Sequence, residues 1–317
     1  MKPHPHLIAP GGPEDQSIES GRSQLTVKES QAGECASREA VVIVLTAMIK
    51  VSRLFCAAFA ASALVAHADE RFFTYVYESD VLPKGGLEFE QWLTYRKGFP
   101  GGDRDFSQHI WDFREEIEYG MTEKLTTALY LNLRQEQLVA REEGLEDSSD
   151  FSFKGISAEF KYQLLNPNKK PVGLALYFEP TYNGNEQELE YKLLLSKTLA
   201  DRWVLAANVT YEQEWEHEEG ETEEESVLEF TAGGAYRLTP NWSVGLEGRC
   251  HAVYEGIGLD EHLGTGFFIG PNVHYGTSKW WATLTVLPQV AGDPSDDGIN
   301  RTEHQTFETR LIFGINF

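Results

Sequence analysis

The chain has 317 residues, 41% of them apolar, and a mean hydropathy of −0.38, which rules out a bundle of transmembrane helices. Its 27 basic and 50 acidic residues give a net charge of −23 and exclude a nucleic-acid partner, whose phosphates are met by Lys and Arg. Aromatics reach 12%, which is rich for a soluble enzyme, and the three cysteines are Cys35, Cys56 and Cys250.

Residues 1–47 are rich in Gly, Pro, Ser and Glu and fit no folded element. They read as an extension of the gene model ahead of a start at Met48, or as a disordered leader. Met48 to Arg53 is short and basic, Leu54 to Ala66 carries no charge, and Ala66-His67-Ala68 is an Ala-x-Ala site. Those are the three parts of a secretory signal peptide over 48–68, whose apolar run is too short to span a bilayer as a helix. Cys56 follows Arg53-Leu54-Phe55 instead of small residues, so lipidation is not expected. Basic and acidic residues balance over the first 68 positions, and the rest of the chain carries the whole acidic excess. Only Cys250 lies in that part, which excludes an internal disulfide or a Cys-based metal cage there. Residues 69–84 read as a short periplasmic or luminal segment ahead of a barrel over 85–317.

From Gly85 onward one pattern repeats: 10 to 14 residues alternating apolar and polar, then a turn. Leu125, Thr127, Leu129, Leu131 and Leu133 form one face, and Thr126, Ala128, Tyr130, Asn132 and Arg134 the other. A period of two is the strand signal. Twelve strands are predicted, near 86–97, 108–119, 124–137, 152–165, 171–182, 187–198, 202–214, 225–238, 242–255, 264–275, 279–290 and 303–317. Tight turns near Gly120–Glu123, Asn166–Lys170, Leu199–Asp201, Thr239–Asn241 and Gly276–Ser278 alternate with generally longer connections, including Gly98–Ser107, Leu138–Asp150, Trp215–Glu224 and Ala291–Thr302. Strands long enough to cross a bilayer, with short turns on one side and longer loops on the other, define a single closed antiparallel transmembrane β-barrel of about twelve strands, ten or fourteen being the alternatives. A soluble sandwich has shorter strands and no such two-sided rhythm. Trp203, Trp242 and the Trp280-Trp281 pair fall just after tight turns, and Trp215 and Tyr254 near the longer loops, at the heights of two interfacial girdles. Trp280 and Trp281 cannot both face outward, Trp92 falls on the lumen face, and Pro271 inside a strand predicts a bulge or an offset.

The closing Leu311-Ile-Phe-Gly-Ile-Asn-Phe317 resembles the C-terminal signal that delivers outer-membrane barrels to their assembly machinery. Val81-Leu-Pro-Lys-Gly-Gly86, followed by Glu88, Glu90 and Gln91, resembles the start of uncharacterised outer-membrane transporter families and of the phenol-degradation type. The resemblance covers about 69–317. It implies a bacterial outer-membrane location, contact with lipid and lipopolysaccharide, and recognition of Phe317 by the assembly machinery.

On this phase the lumen carries acids (Glu88, Glu90, Asp112, Glu116, Glu118, Glu159, Glu190, Glu212, Glu229, Glu247, Glu308) and bases (Arg96, Arg114, Arg134, Lys161, Lys192, Arg237, Arg249, Arg310). The lumen-lining candidates are Glu90, Arg114, Glu116, Arg134, Lys161, Glu190, Lys192, Glu247, Arg249 and Arg310. Two readings stand side by side. An aqueous channel with excess acid favours cations and neutral solutes. A narrow barrel filled by cross-strand ion pairs serves structure or surface interaction. The acidic run Trp215 to Glu225 reads as a solvated loop, with divalent cations as possible partners there, and Asp293 to Gly298 lacks the spacing of an EF-hand. An enzyme is the third class. No His-x-Ser-Asn-Gly stretch of the outer-membrane phospholipases is present, and only Asp260-Glu-His262 and Glu303-His304 offer a His beside acids near loop tips. No catalytic residue, metal site or cofactor is therefore assigned. The signal motif predicts that N-terminal sequencing of membrane-extracted protein starts at Asp69; a mature chain that retains Leu54 to Ala66 excludes cleavage.

Overall fold

The computed structural model describes residues 71–317 apart from 219 and 296. The leader, the signal peptide and its cleavage site therefore lie outside the described residues. Twelve strands follow in order: β1 (Leu87–Gly98), β2 (Phe106–Gly120), β3 (Leu125–Ala140), β4 (Ser148–Leu165), β5 (Gly173–Tyr182), β6 (Glu186–Leu199), β7 (Trp203–Glu218), β8 (Glu221–Arg237), β9 (Trp242–Glu255), β10 (Glu261–Gly276), β11 (Trp280–Asp293) and β12 (Phe307–Asn316). Each pairs antiparallel with its sequence neighbours, and β1 pairs with β12 from Glu88↔Asn316 to Lys97↔Phe307, which closes the barrel. The described residues contain no α-helix; one short 3-10 turn, Pro100–Gly102, joins β1 to β2.

The alternation places apolar side chains outside and polar ones inside. Leu129 is 62% exposed and Leu131 and Ile117 are exposed beside it, while Thr126, Ala128 and Tyr130 on the opposite face of β3 are buried. Trp203, Trp242 and Trp280 are exposed beside the short turns, and each packs against a neighbouring aromatic, Tyr236, Tyr275 and Phe313 respectively. Trp281 turns inward, as does Trp92, and both are fully buried. Cys250 pairs with Phe230 and Phe267, two exposed side chains, and so sits on the outer face. Pro271 stays in register with Leu246 of β9, but the ladder to β11 lapses between Phe268 and Asn272 after a shift at Phe267/Phe268. The missing proline N–H thus falls where pairing is already interrupted.

Two expectations are corrected. Trp215 to Glu225 is not a loop: β7 and β8 run through it on either side of residues 219 and 220, with Glu214 opposite Glu225 and Glu216 opposite Glu223. Paired backbone outweighs the repulsion between like charges directly opposite one another. Residues 138–140 and 148–150 are likewise strand, the connection shrinking to 141–147. In both places β pairing continues past the apolar alternation, which marks only the lipid-facing part of each strand.

The outward face carries a test. Leu129→Arg is expected to cost about 2–4 kcal/mol in a lipid-facing position, whereas Asn132→Arg, beside Ser157 Oγ in the lumen, is far milder. In a Cys250→Ser background, cysteine at position 129 should react with lipid-soluble but not water-soluble thiol reagents. The opposite labelling pattern excludes the membrane-facing assignment.

Candidate functional site

The interior divides by height. Toward the end where β1 begins and β12 finishes, the stretch Arg71 to Leu82 lies inside the barrel and fills it: Phe73 and Val76 are fully enclosed, and Phe72, Tyr75, Tyr77 and Leu82 are buried. Fully burying such side chains contributes about 1.5–3 kcal/mol each. Phe72, Phe73 and Val76 pack with Val204, Ala206 and Ala235, Tyr77 with Trp92, Tyr177 and Trp281, and Tyr75 with Phe268 and Leu287.

This stretch has no strand partner, so its backbone polar groups depend on side chains from the wall. Glu247 accepts from the backbone N–H of Thr74 (2.9 Å), Tyr75 (2.8 Å) and Val76 (3.2 Å), and from the Thr285 hydroxyl. Asn208 bonds both Tyr77 N (2.7 Å) and Tyr77 O (2.9 Å), and Thr126 accepts from Leu82 N at 2.8 Å. Asn272 donates to Phe72 O, Thr283 to Arg71 O, Gln163 to Ser79 O and Arg310 to Thr74 O. Close approach needs glycine: a Cβ on Gly233 would lie 2.7 Å from the Phe73 ring, and one on Gly173 would lie 2.0 Å from Ser79 Oγ.

Above this floor lies a vestibule of about 460 Å³, lined by Tyr75 and Tyr77 below and by charged walls. Arg96 and Arg134 share Asp112 at 2.6 and 2.7 Å, and Arg114 meets Glu179 at 2.5 Å. Lys154 pairs with Glu186 (2.5 Å), Lys192 with Glu190 (2.8 Å), and Arg249 with Glu229 and with Glu308 at 2.8 Å. Among the described residues no ion pair engages Glu188, Glu212 or Glu214, which face the same space from β6 and β7. A second cavity of about 230 Å³ under the 294–306 connection is lined by His251, His304, Glu225 and Glu303 among others. Burial pushes the His304 imidazole in that connection down to about 4 and keeps it neutral. Because its folded value lies below the ordinary one near 6.5, its contribution to stability is present above pH 6.5 and lost as pH falls toward 4.

Of the ten lumen-lining candidates, Arg114, Arg134, Glu190, Lys192, Arg249 and Arg310 face the vestibule, Arg310 reaching down to Thr94 Oγ1 and Thr74 O. Glu90, Glu116, Lys161 and Glu247 are buried at floor level. Asn208, Asn272, Thr283 and Ser196, which accepts from Ser79 N at 3.0 Å, have no charge to mark them in the sequence. The available signal was Phe72, Phe73, Tyr75, Val76 and Tyr77, a dense aromatic stretch ahead of the first strand with no neighbour to pair. At the loops, His262 bonds Thr265 Oγ1 and His304 the His251 carbonyl, so neither ring is seated on a carboxylate by these bonds. Asp297 is engaged by Arg301 at 2.6 Å.

A closed twelve-strand barrel with an apolar outer face and a charged interior is the fold of outer-membrane channels. The chain belongs to the family of unknown function DUF6662, whose model matches residues 65–317. In fold it is similar to the COG4313 outer membrane channel from Pseudomonas putida F1, with a TM-score of 0.57 at 13% identity over 77% of this chain and 100% of that one. The NanC porin aligns at 0.48 and 9% identity over 72% and 100%, and the translocator domain of the autotransporter NalP from Neisseria meningitidis at 0.48 and 10% over 74% and 89%. No curated protein matches the sequence.

The Glu247 carboxylate alone holds three of the floor's backbone donors. Removing it in Glu247→Ala strands three backbone donors and a hydroxyl, each buried and unmade bond costing about 1–3 kcal/mol. A cysteine at Tyr75, in a Cys250→Ser background, should be protected from aqueous thiol reagents while Glu247 is present and labelled when it is replaced. Equal protection in both shows that the segment is held without Glu247.

Proposed function

We propose that the protein is a passive outer-membrane channel for small polar solutes, with the vestibule as its entrance and the N-terminal segment as a displaceable floor. The observation that carries this reading is the charged vestibule of about 460 Å³ ending on a segment fastened by side-chain hydrogen bonds instead of a β ladder. Removing the floor would expose polar wall residues such as Asn208, Glu247 and Asn272 along the lumen. The preference is for cations and neutral solutes. Its bases are tied to carboxylates, or in Arg310 to Thr94 and a backbone carbonyl, while Glu188, Glu212 and Glu214 remain to meet solute. We also read Phe317 as the residue that the assembly machinery takes, and the outer face as the contact with lipid and lipopolysaccharide.

The other reading, a filled barrel for surface interaction, draws on the tight packing of Phe73, Val76 and Trp281. Planar-bilayer recording separates the two. Wild-type protein should show small or intermittent conductance, and a variant lacking residues 71–80 a steady, larger, cation-favouring one. Silence from both forms excludes the channel and favours the filled barrel.

A further inference from the structure

The floor meets β1 and β2 across an unusual concentration of buried acid. Glu88 lies opposite Glu118 and Glu90 opposite Glu116, all four on the lumen face and at most 3% exposed. One oxygen from each of Glu90, Glu116 and Glu118 lies within 4.8 Å of the others. Glu159 of β4 stands beside them: the Tyr130 hydroxyl that donates to Glu159 also contacts Glu116.

Hydrogen bonding does not use up these groups. Trp92 Nε1 donates to Glu90 Oε2 at 2.8 Å and to Glu116 Oε2 at 3.0 Å. Glu116 Oε1 and Glu159 Oε1 are nevertheless buried with no hydrogen-bond partner, on residues 0% and 1% exposed. Nor does charge balance. Arg71 approaches Glu90 only to 3.7 Å, too long for a hydrogen bond, and Lys161, itself engaged, is the other base on this face, so two bases stand against Glu88, Glu90, Glu116, Glu118 and Glu159. Nearby Arg114 is engaged by Glu179, and Arg310 by Thr94 and Thr74. Buried acid in such excess over base needs a further cation.

We propose that Glu90, Glu116 and Glu118, with Glu159 alongside, bind a calcium ion that fastens the N-terminal floor to the β1–β4 wall. Oxygens sharing one calcium ion can stand no farther apart than twice a bond of about 2.3–2.6 Å, and the three carboxylate oxygens here lie within that limit. Three or four converging carboxylates suit calcium, which takes carboxylates singly or bidentate in flexible geometry, better than magnesium, which demands near-ideal octahedral geometry and is usually held by one or two. The all-oxygen donor set, without His or Cys, disfavours transition metals. The site is independent of solute passage: conductance decides the channel reading, and metal binding decides this one.

The experiment uses full-length protein in detergent, freed of metal with a chelator and titrated with terbium under tryptophan excitation. Trp92, whose indole touches two of the carboxylates, should sensitise terbium emission, and calcium should displace it far better than magnesium. Glu116→Gln and Glu118→Gln should weaken binding roughly tenfold or more by removing ligand charge, and Glu221→Gln with Glu223→Gln in the surface hairpin should not. Calcium should also raise the thermal midpoint of the wild type but not of Glu118→Gln. Should that variant not assemble, Glu90→Gln serves in its place, and the calcium-against-chelator comparison on the wild type needs no variant. Absence of sensitised emission, emission insensitive to the floor variants, or a midpoint unmoved by calcium overturns the proposal. So does a Glu118→Gln barrel more stable than the wild type with and without calcium, which marks a cluster sharing protons instead.

Discussion

In hydrocarbon a backbone N–H or C=O has no water to turn to, and every strand edge must therefore be paired. The β1–β12 seam meets that constraint, and the rest of the molecule follows from it. Closure forces each strand to show one face to lipid and one to the lumen, which is why Leu129 and Tyr130 are chemically unlike neighbours. It also fixes the width. Twelve strands enclose a space too wide for wall side chains alone to fill at every height and too narrow to stay open where large ones point in.

The interior resolves this differently at its two ends. Near the start of β1 the chain supplies its own filler, and polar wall residues serve a backbone that has no ladder. Farther up, long charged side chains reach across, and most of the bases find a carboxylate. The contrast between a channel and a filled barrel thus becomes a contrast between two levels of one lumen. Ion pairs here act mainly as spacing elements. Each sets the position of two long side chains around the vestibule, and those that remain outside such pairs on β6 and β7 give the space its sign.

Much of the wall was legible in the sequence. All twelve strands fall where alternation places them, because lipid on one side and polar lumen on the other impose the period directly on residue type. The inward position of Trp92 follows from the same phase, whereas alternation left open which of Trp280 and Trp281 faces the lumen, and the fold turns Trp281 inward. Legibility ended where lipid ends. Beyond the bilayer Glu214 to Glu225 has no apolar face to keep, so composition resembles a loop while the ladder continues through it. The floor was legible only in outline. Phe72 to Tyr77 announces burial without saying against what, and its partners Asn208, Asn272 and Thr283 lie more than a hundred residues away on strands that only closure brings together. Gly233 and Gly173 mark the close approach, but a lumen glycine is uninformative until the segment facing it is known.

The N-terminal segment also bears on the mechanics of the barrel. Its bonds reach Thr126 on β3, Gln163 on β4, Asn208 on β7, Glu247 on β9, Asn272 on β10, Thr283 on β11 and Arg310 on β12, points spread around the circumference. An empty ring of hydrogen-bonded strands resists stretching along its ladder but yields easily to flattening into an ellipse. A core tied to the ring at many bearings acts as an internal brace and keeps the cross-section round under lateral pressure from the bilayer. Stiffness and occlusion are then one property: a barrel that releases its brace becomes at once wider in bore and softer in outline.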